Sequence, residues 1–246
     1  MKKENKKLAQ ERRAAQRRKK ILIENILKFG IPSIVAILFI ILIFVDPISK
    51  TTDTDYTSSN NNSTDTSNTE NTYTPEELDE NLTYYADIKI QDYGTITVKL
   101  DQKSAPISAA NFVALAEDGF YDGLTFHRIM EDFMMQGGDP EGNGTGGSKN
   151  NIVGEFTSNG YNNTLSHTRG AISMARAEDK NSASSQFFIV HKDSTYLDGN
   201  YAVFGYVTKG IEIVDKVCED ANPTDDNGTI STKDQPLITS ITIRTE

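Results

Sequence analysis

From Tyr85 to the C-terminus the chain is built of short runs in which apolar and polar residues alternate, each bounded by glycine, asparagine or aspartate. A two-residue period describes strands with one buried face. The runs predict strands at 85–90, 95–100, 124–129, 133–137, 171–175, 186–191, 202–207 and 237–244, the first two joined as a hairpin across Gln91, Asp92, Tyr93 and Gly94. A longer period interrupts them twice. One helix opens near Pro106, sets Phe112 and Leu115 on one face and stops at Gly119. The other covers 211–218, with Ile211, Val214 and Val217 or Cys218 inward. Residues 75–246 are thus expected to form one mainly β domain with an antiparallel sheet or barrel and two helices.

Upstream the pattern is different. Residues 29–45 are 17 uncharged residues dominated by Ile, Leu, Val and Phe. As a helix this run spans roughly 25 Å, close to the hydrocarbon thickness of a bilayer. Pro32 lies near its start, where a first-turn proline costs little. Before it, residues 1–28 hold eleven Lys/Arg against three Asp/Glu, a charge of +8. Such a basic flank, with Arg12, Arg13, Arg17, Arg18, Lys19 and Lys20 in one block, stays on the cytoplasmic side and places everything after Asp46 outside. No small-residue cleavage site and no lipidation cysteine follow the run, so 29–45 reads as an uncleaved signal anchor. Residues 46–74 read as a flexible linker. From Ser49 to Thr74, 22 of 26 residues are Ser, Thr, Asn or Asp, too polar to offset the entropy of ordering.

Composition narrows the function classes. Cys218 is the single cysteine, which excludes an internal disulfide and a thiolate zinc site, and His127, His167 and His191 lack ligand-like spacing. No metal or cofactor is expected. The net charge of −10 argues against nucleic acid as a partner, and the basic N-terminus is better read as a topology signal that also touches anionic lipid. The glycines of 142–147 (GNGTGG) invite a phosphate-loop reading, but the Gly-Lys-Ser/Thr ending is absent.

The motifs are more specific. The run from Phe126 to Asp139 (FHRIMEDFMMQGGD), followed in order by Gly144–Gly147 (GTGG), Ser185–Ile189 (SQFFI), Leu197–Gly199 (LDG) and Val203–Gly205 (VFG), resembles the cyclophilin family of peptidyl-prolyl cis/trans isomerases. The resemblance spans nearly all of 83–246 and implies a closed eight-stranded antiparallel barrel capped by two helices, which agrees with the strand pattern.

It also implies a site. Arg128 is expected to be catalytic, beside the substrate proline; Phe133, Met134, Phe188 and Leu197 form the proline pocket, and Gln136 and Gln186 contact substrate backbone. Gly144 lines the groove through a turn that permits close backbone approach. Ala175, Arg176 and Ala177 bind substrate mainly through backbone, Tyr201 stands at the pocket wall, and Tyr196 is a further substrate-binding position. Alternation alone places Phe126 and Arg128 on one face of their strand and His127 and Ile129 on the other, which makes His127 structural rather than a general base. It likewise puts Met134 with Gln136 and Gln186 with Phe188 on the site face, and leaves Phe133 unexplained. Without the resemblance, such a methionine and aromatic stripe reads as ordinary core.

Three positions depart from the best-known eukaryotic pattern: Arg176 stands for an asparagine, Tyr196 for a tryptophan whose indole N–H contacts cyclosporin in the family, and Tyr201 for a histidine. Activity is expected to persist and cyclosporin binding to weaken. The expected function is isomerisation of X-Pro bonds in secreted or surface polypeptides by a membrane-anchored, extracytoplasmic and bacterial enzyme. The alternative is a proline-peptide-binding chaperone with weak activity or none.

Overall fold

The computed structural model describes residues 72–246; the basic segment, the apolar run 29–45 and nearly all of the linker expected from the sequence lie outside them. Among the described residues no helix is long and apolar enough to cross a membrane.

Strands β1 (Tyr84–Ile90) and β2 (Gly94–Leu100) pair antiparallel with Ile88 opposite Ile96. The strict alternation of Tyr84, Ala86, Ile88 and Ile90 puts all four in the interior. Helix α1 (Pro106–Glu117) follows. Proline suits its first turn, but Ala105 at the N-cap has no side-chain acceptor. Glu155 supplies it from across the fold: its carboxylate accepts from the Ile107 amide at 2.9 Å, and from the Ser108 amide and hydroxyl, each at 2.7 Å. A buried carboxylate here satisfies orphan donors and meets the positive end of the helix.

Strands β3 (Thr125–Met130), β4 (Met134–Asp139), β5 (Ala171–Met174), β6 (Phe187–Val190), β7 (Val203–Lys209) and β8 (Ile238–Thr245) complete the sheet, with helix α2 (Ile211–Asp220) between the last two. The strand order is β3-β4-β6-β5-β7-β2-β1-β8, antiparallel throughout. The ends of this order meet over a short seam: Thr125 bridges Leu237, the Ile238 amide donates to the Leu124 carbonyl at 2.8 Å, and the Phe126 amide donates to Pro236 at 3.0 Å. The expected closed barrel is therefore a half-barrel drawn together at one short seam, because the rest of the β3 outer edge is taken by residues 228–230: the Ile129 amide donates to the Gly228 carbonyl at 2.8 Å and the Ile230 amide to the His127 carbonyl at 2.9 Å.

The interior is aromatic. Phe112 of α1 packs on Tyr121, Phe187 and Phe204 with ring centroids 5.1 to 5.4 Å apart, and Phe126 meets Phe187 edge-on at 6.0 Å. Each such ring contributes roughly 1.5–3 kcal/mol by leaving water. Helix α1 is buried on more than the one face expected, with Ser108 to Val113 and Ala116 all inside and Leu115 only partly so, because it is wrapped by the sheet. Helix α2 buries Val214, Val217 and Cys218 as its spacing predicts.

A second expectation fails. Phe126 pairs with Gly137 and Arg128 with Gln136, so two residues of β3 oppose one step of β4. This bulge rotates the strand between them. Phe126 and Ile129 both enter the core, and Arg128 is left on the opposite face from Phe126 rather than the same one.

Candidate active site

On the outer face of β4, β5, β6 and β7 lies a second apolar cluster, Met134, Ala171, Phe188, Val190 and Val203, with Phe133, Leu197 and Tyr201 packed partly over it. The pleat makes it. Met135 and Gly137 alternate inward against Met134 and Gln136, and Phe187 and Ile189 alternate inward against Phe188 and Val190. Phe133 does not obey this parity because it precedes the strand. It leaves a turn in which Asp132 takes a left-handed conformation at φ 66°, so the turn, not the pleat, aims the ring.

The cluster is the floor of a pocket of about 150 Å³ lined by Arg128, Phe133, Met134, Gln136, Ala175, Arg176, Phe188, Leu197 and Tyr201. Gln136, Ala175 and Arg176 also border a second hollow of about 360 Å³, which Gly144, Ala177 and Gln186 line with the 145–148 backbone, Asn151, Ser182 and Ser184. Twelve of the residues singled out in the sequence thus fall on two adjoining hollows. The thirteenth, Tyr196, lines neither: it is 71% exposed and stacks on the Phe133 ring at 6.0 Å from outside.

A directed chain of hydrogen bonds runs along the rim. Arg128 Nε donates to the Asn227 carbonyl at 2.7 Å and Nη1 to Gln136 Oε1 at 3.3 Å; Gln136 Nε2 donates to Gln186 Oε1 at 2.8 Å, and Gln186 Nε2 to the Gly146 carbonyl at 2.7 Å. Each acceptor forces the orientation of the next amide. The guanidinium stands 5.8 Å from the Phe133 centroid. Burial pulls Arg128 below its ordinary value, against Tyr196, Tyr201 and Asp225, yet an arginine stays charged at neutral pH.

Two supports went unread in the sequence. Asp139, at the end of β4 and 1% exposed, accepts from the amides of Glu141, Asn143 and Gly144 at 2.8, 3.0 and 2.6 Å and so shapes the glycine-rich turn. The sequence signal was an aspartate just ahead of a glycine-rich turn. His167, fully buried, lies under Phe188 with the rings stacked 5.9 Å apart, held by Asp198 Oδ1 at 2.8 Å and Ser173 Oγ at 3.1 Å. Asn227 acts through its carbonyl, which no side-chain pattern could announce.

Arg176 is placed by its own surroundings. Its Nε donates to the Asn200 carbonyl at 3.1 Å, Nη1 to Ala177 and Glu178 carbonyls at 2.8 and 3.0 Å, and the guanidinium covers the Tyr201 ring at 4.7 Å. Two departures from the family pattern thus stack on one another. His127 is buried and lines neither hollow; burial lowers its pKa, opposed by Asp139, and neither ring nitrogen has a hydrogen-bond partner among the described residues.

The family model for cyclophilin type peptidyl-prolyl cis-trans isomerase/CLD matches residues 85–244. The chain belongs to the cyclophilin family of peptidyl-prolyl cis-trans isomerases. A peptidyl-prolyl cis-trans isomerase of Helicobacter pylori strain J99 is 43% identical over 148 residues, covering 59% of this chain and 88% of that protein. Peptidyl-prolyl cis-trans isomerase B of Bacillus subtilis is 46% identical over 123 residues, covering 50% of this chain and 82% of its own length. A crystal structure of a Cryptosporidium parvum cyclophilin type isomerase, determined in the presence of the dipeptide Ala-Pro, superposes with a TM-score of 0.58 at 30% identity, covering 66% of this chain and 99% of that one. The cyclophilin described here is therefore a peptidyl-prolyl cis-trans isomerase with a mainly β half-barrel and two helices.

Proposed function

We propose that this isomerase works outside the cytoplasm on X-Pro bonds of secreted or surface polypeptides, anchored in membrane lipid through residues 29–45 and tethered by the linker 46–74, with Arg128 as its catalytic residue. The observation that carries the site assignment is the Arg128 guanidinium fixed at the rim of a small apolar pocket by Asn227 and Gln136.

A prolyl amide resists rotation by ~18–20 kcal/mol because its C–N bond has partial double-bond character. No covalent bond need break. As the bond twists, resonance is lost and the prolyl nitrogen becomes pyramidal with a localised lone pair. Phe133, Met134, Phe188, Leu197 and Tyr201 hold the ring still while the preceding residue turns. Gln136, Gln186, Gly144, Ala175, Arg176 and Ala177 hold the flanking backbone. Arg128, already anchored on one edge, presents its remaining N–H groups to the substrate carbonyl and the developing lone pair. Its guanidinium is prealigned, so stabilisation costs no reorganisation at the moment of rotation. A ten-thousandfold acceleration needs about 5.4 kcal/mol, within reach of two or three such bonds in a dry pocket. The Ala-Pro dipeptide with which the Cryptosporidium relative was crystallised supports a proline-containing ligand here.

The location rests on the sequence: a charge of +8 before an uncharged run of 17 residues, then a polar linker. Intact cells producing the full chain are treated with an added protease, and the membrane fraction is probed. Loss of the isomerase domain with retention of the N-terminal segment is expected. A domain that stays protected until the membrane is broken places it on the other side and ends this reading.

A further inference from the structure

The turn that aims Phe133 is held by one histidine at the end of the neighbouring strand β6. The Asp132 amide donates to His191 Nδ1 at 3.0 Å, and the His191 amide donates to the Phe133 carbonyl at 2.9 Å, so a single residue bonds the 131–132 peptide through its N–H and the 133–134 peptide through its carbonyl. Because an amide N–H can only donate, Nδ1 must carry no proton, and the ring proton sits on Nε2. That atom stands 3.2 Å from Asp215 Oδ1 on α2. Asp215 is fixed in turn by a two-pronged pair with Arg169, at 2.6 and 2.8 Å, and Arg169 Nη1 also donates to the His191 carbonyl at 3.2 Å. The His191 side chain is 13% exposed. Asp132 at φ 66° occupies left-handed backbone that is uncommon outside glycine, and the bond to His191 helps hold it there.

We propose that His191 is a positioning residue for isomerisation: as the Nε2–H tautomer set by Asp215, it pins the 131–133 turn and thereby the Phe133 wall of the proline pocket. The proposal rests on the assignment of that pocket to the substrate proline. Chemically, His191 resembles the middle member of a catalytic triad, but the group it accepts from is a backbone amide and its product is geometry.

The other tautomer, with its proton on Nδ1, would set a donor against the Asp132 donor, so the turn fits only the Nε2–H form. The charged groups around the ring are Asp215 from α2, Arg169 from the segment before β5, Glu131 and Asp132 from the turn itself, and Lys192 and Asp193 just after β6; Lys192 reaches Asp132 at 3.4 Å and Asp193 accepts the Arg169 amide at 2.7 Å.

The test uses the purified full-length chain in mild detergent and a short X-Pro peptide, with His191→Ala, His191→Asn and Phe133→Ala. His191→Ala is expected to raise KM about tenfold with kcat little changed, as loss of a supporting contact does. His191→Asn, which keeps an acceptor near the Nδ1 position, should restore KM. On the Phe133→Ala background, His191→Ala should add little. Should His191→Ala fail to fold, the KM of His191→Asn and the imidazole ¹⁵N shifts of the wild type decide alone. An Nδ1–H tautomer, a KM raised about tenfold in His191→Asn, or a full His191→Ala effect without Phe133 overturns the proposal. Absence of turnover in the wild type would instead count against the pocket assignment.

Discussion

Arg128 and Asn227 are 99 residues apart in sequence, yet the guanidinium Nε of the first donates to the backbone carbonyl of the second at 2.7 Å. One edge of the fork is thus spent on structure, and the other faces Gln136 and the pocket. A lysine cannot do both, having a single ammonium and no planar fork.

Arg128→Ala and Arg128→Lys are therefore both expected to lower kcat/KM for an X-Pro peptide by about 100-fold, the usual cost of one prealigned donor. Stability should change little, because Arg128 is only half-buried and its partners remain open to water. Exchange NMR of the peptide, run beside a urea melt, separates the two. A lysine variant with near-wild activity would show that charge, not the fork, is what counts.

Gln136 links Arg128 to Gln186, accepting from one and donating to the other. Gln136→Ala leaves the guanidinium free to swing and breaks the orientation of Gln186. An approximately tenfold loss in kcat/KM is expected, roughly 1.4 kcal/mol. The decisive measurement is the double variant with Arg128→Ala. Since groups in one network do not add, it should be hardly worse than Arg128→Ala alone. Additive losses would mean that Gln136 serves the substrate independently of Arg128.

What the sequence disclosed and what it withheld divide along physical lines. Eight strands and two helices were legible because one-face burial imposes a period that any segment carries in itself. Met134 with Gln136, and Gln186 with Phe188, followed from the same parity. Parity misled at Phe126 and Arg128 because a bulge is a property of two strands together, set by how β4 lies against β3. Phe133 was reachable only by resemblance, its direction being fixed by a turn. Hidden altogether were supports that act across the fold: Glu155 at the start of α1, Asp139 beneath the glycines, and the Asn227 carbonyl.

Asp139 makes the pH dependence of the groove predictable. Burial pushes its carboxyl up, but the amides of Glu141, Gly144, Asn143 and Gly146 together outweigh burial and bring it below the ordinary carboxylate value. A lowered folded value means that the ionised form stabilises the fold. That contribution is complete above the unfolded value, near 3.9, and is lost as pH falls through the folded one. Asp139→Asn should be less stable than wild type at pH 7 by about 1.5–3 kcal/mol, the worth of a hydrogen bond to a charged group. The gap should narrow on acidification below about pH 4. Urea melts at several pH values test this; a constant gap would mean that the amides bind the oxygen without regard to charge.

Tyr196 governs the last expectation, that cyclosporin binds weakly. The ring lies at the pocket mouth, 71% exposed, and its one firm contact among the described residues is a tilted stack on Phe133 at 6.0 Å. Tyrosine presents a hydroxyl at the far end of the ring, whereas indole presents an N–H along its edge. A ligand shaped to accept from indole therefore finds the donor displaced, and loses one net hydrogen bond of about 0.5–1.5 kcal/mol together with the area of the second ring. Tyr196→Trp should tighten cyclosporin binding by about tenfold, equivalent to 1.4 kcal/mol, while leaving turnover of a short X-Pro peptide nearly unchanged. Titration calorimetry on both chains measures the first and exchange NMR the second. If the wild type already binds at nanomolar concentration, the tyrosine is no obstacle; if Tyr196→Trp gains nothing, the barrier lies instead at Arg176 and Tyr201, whose side chains stack on one another in the pocket lining.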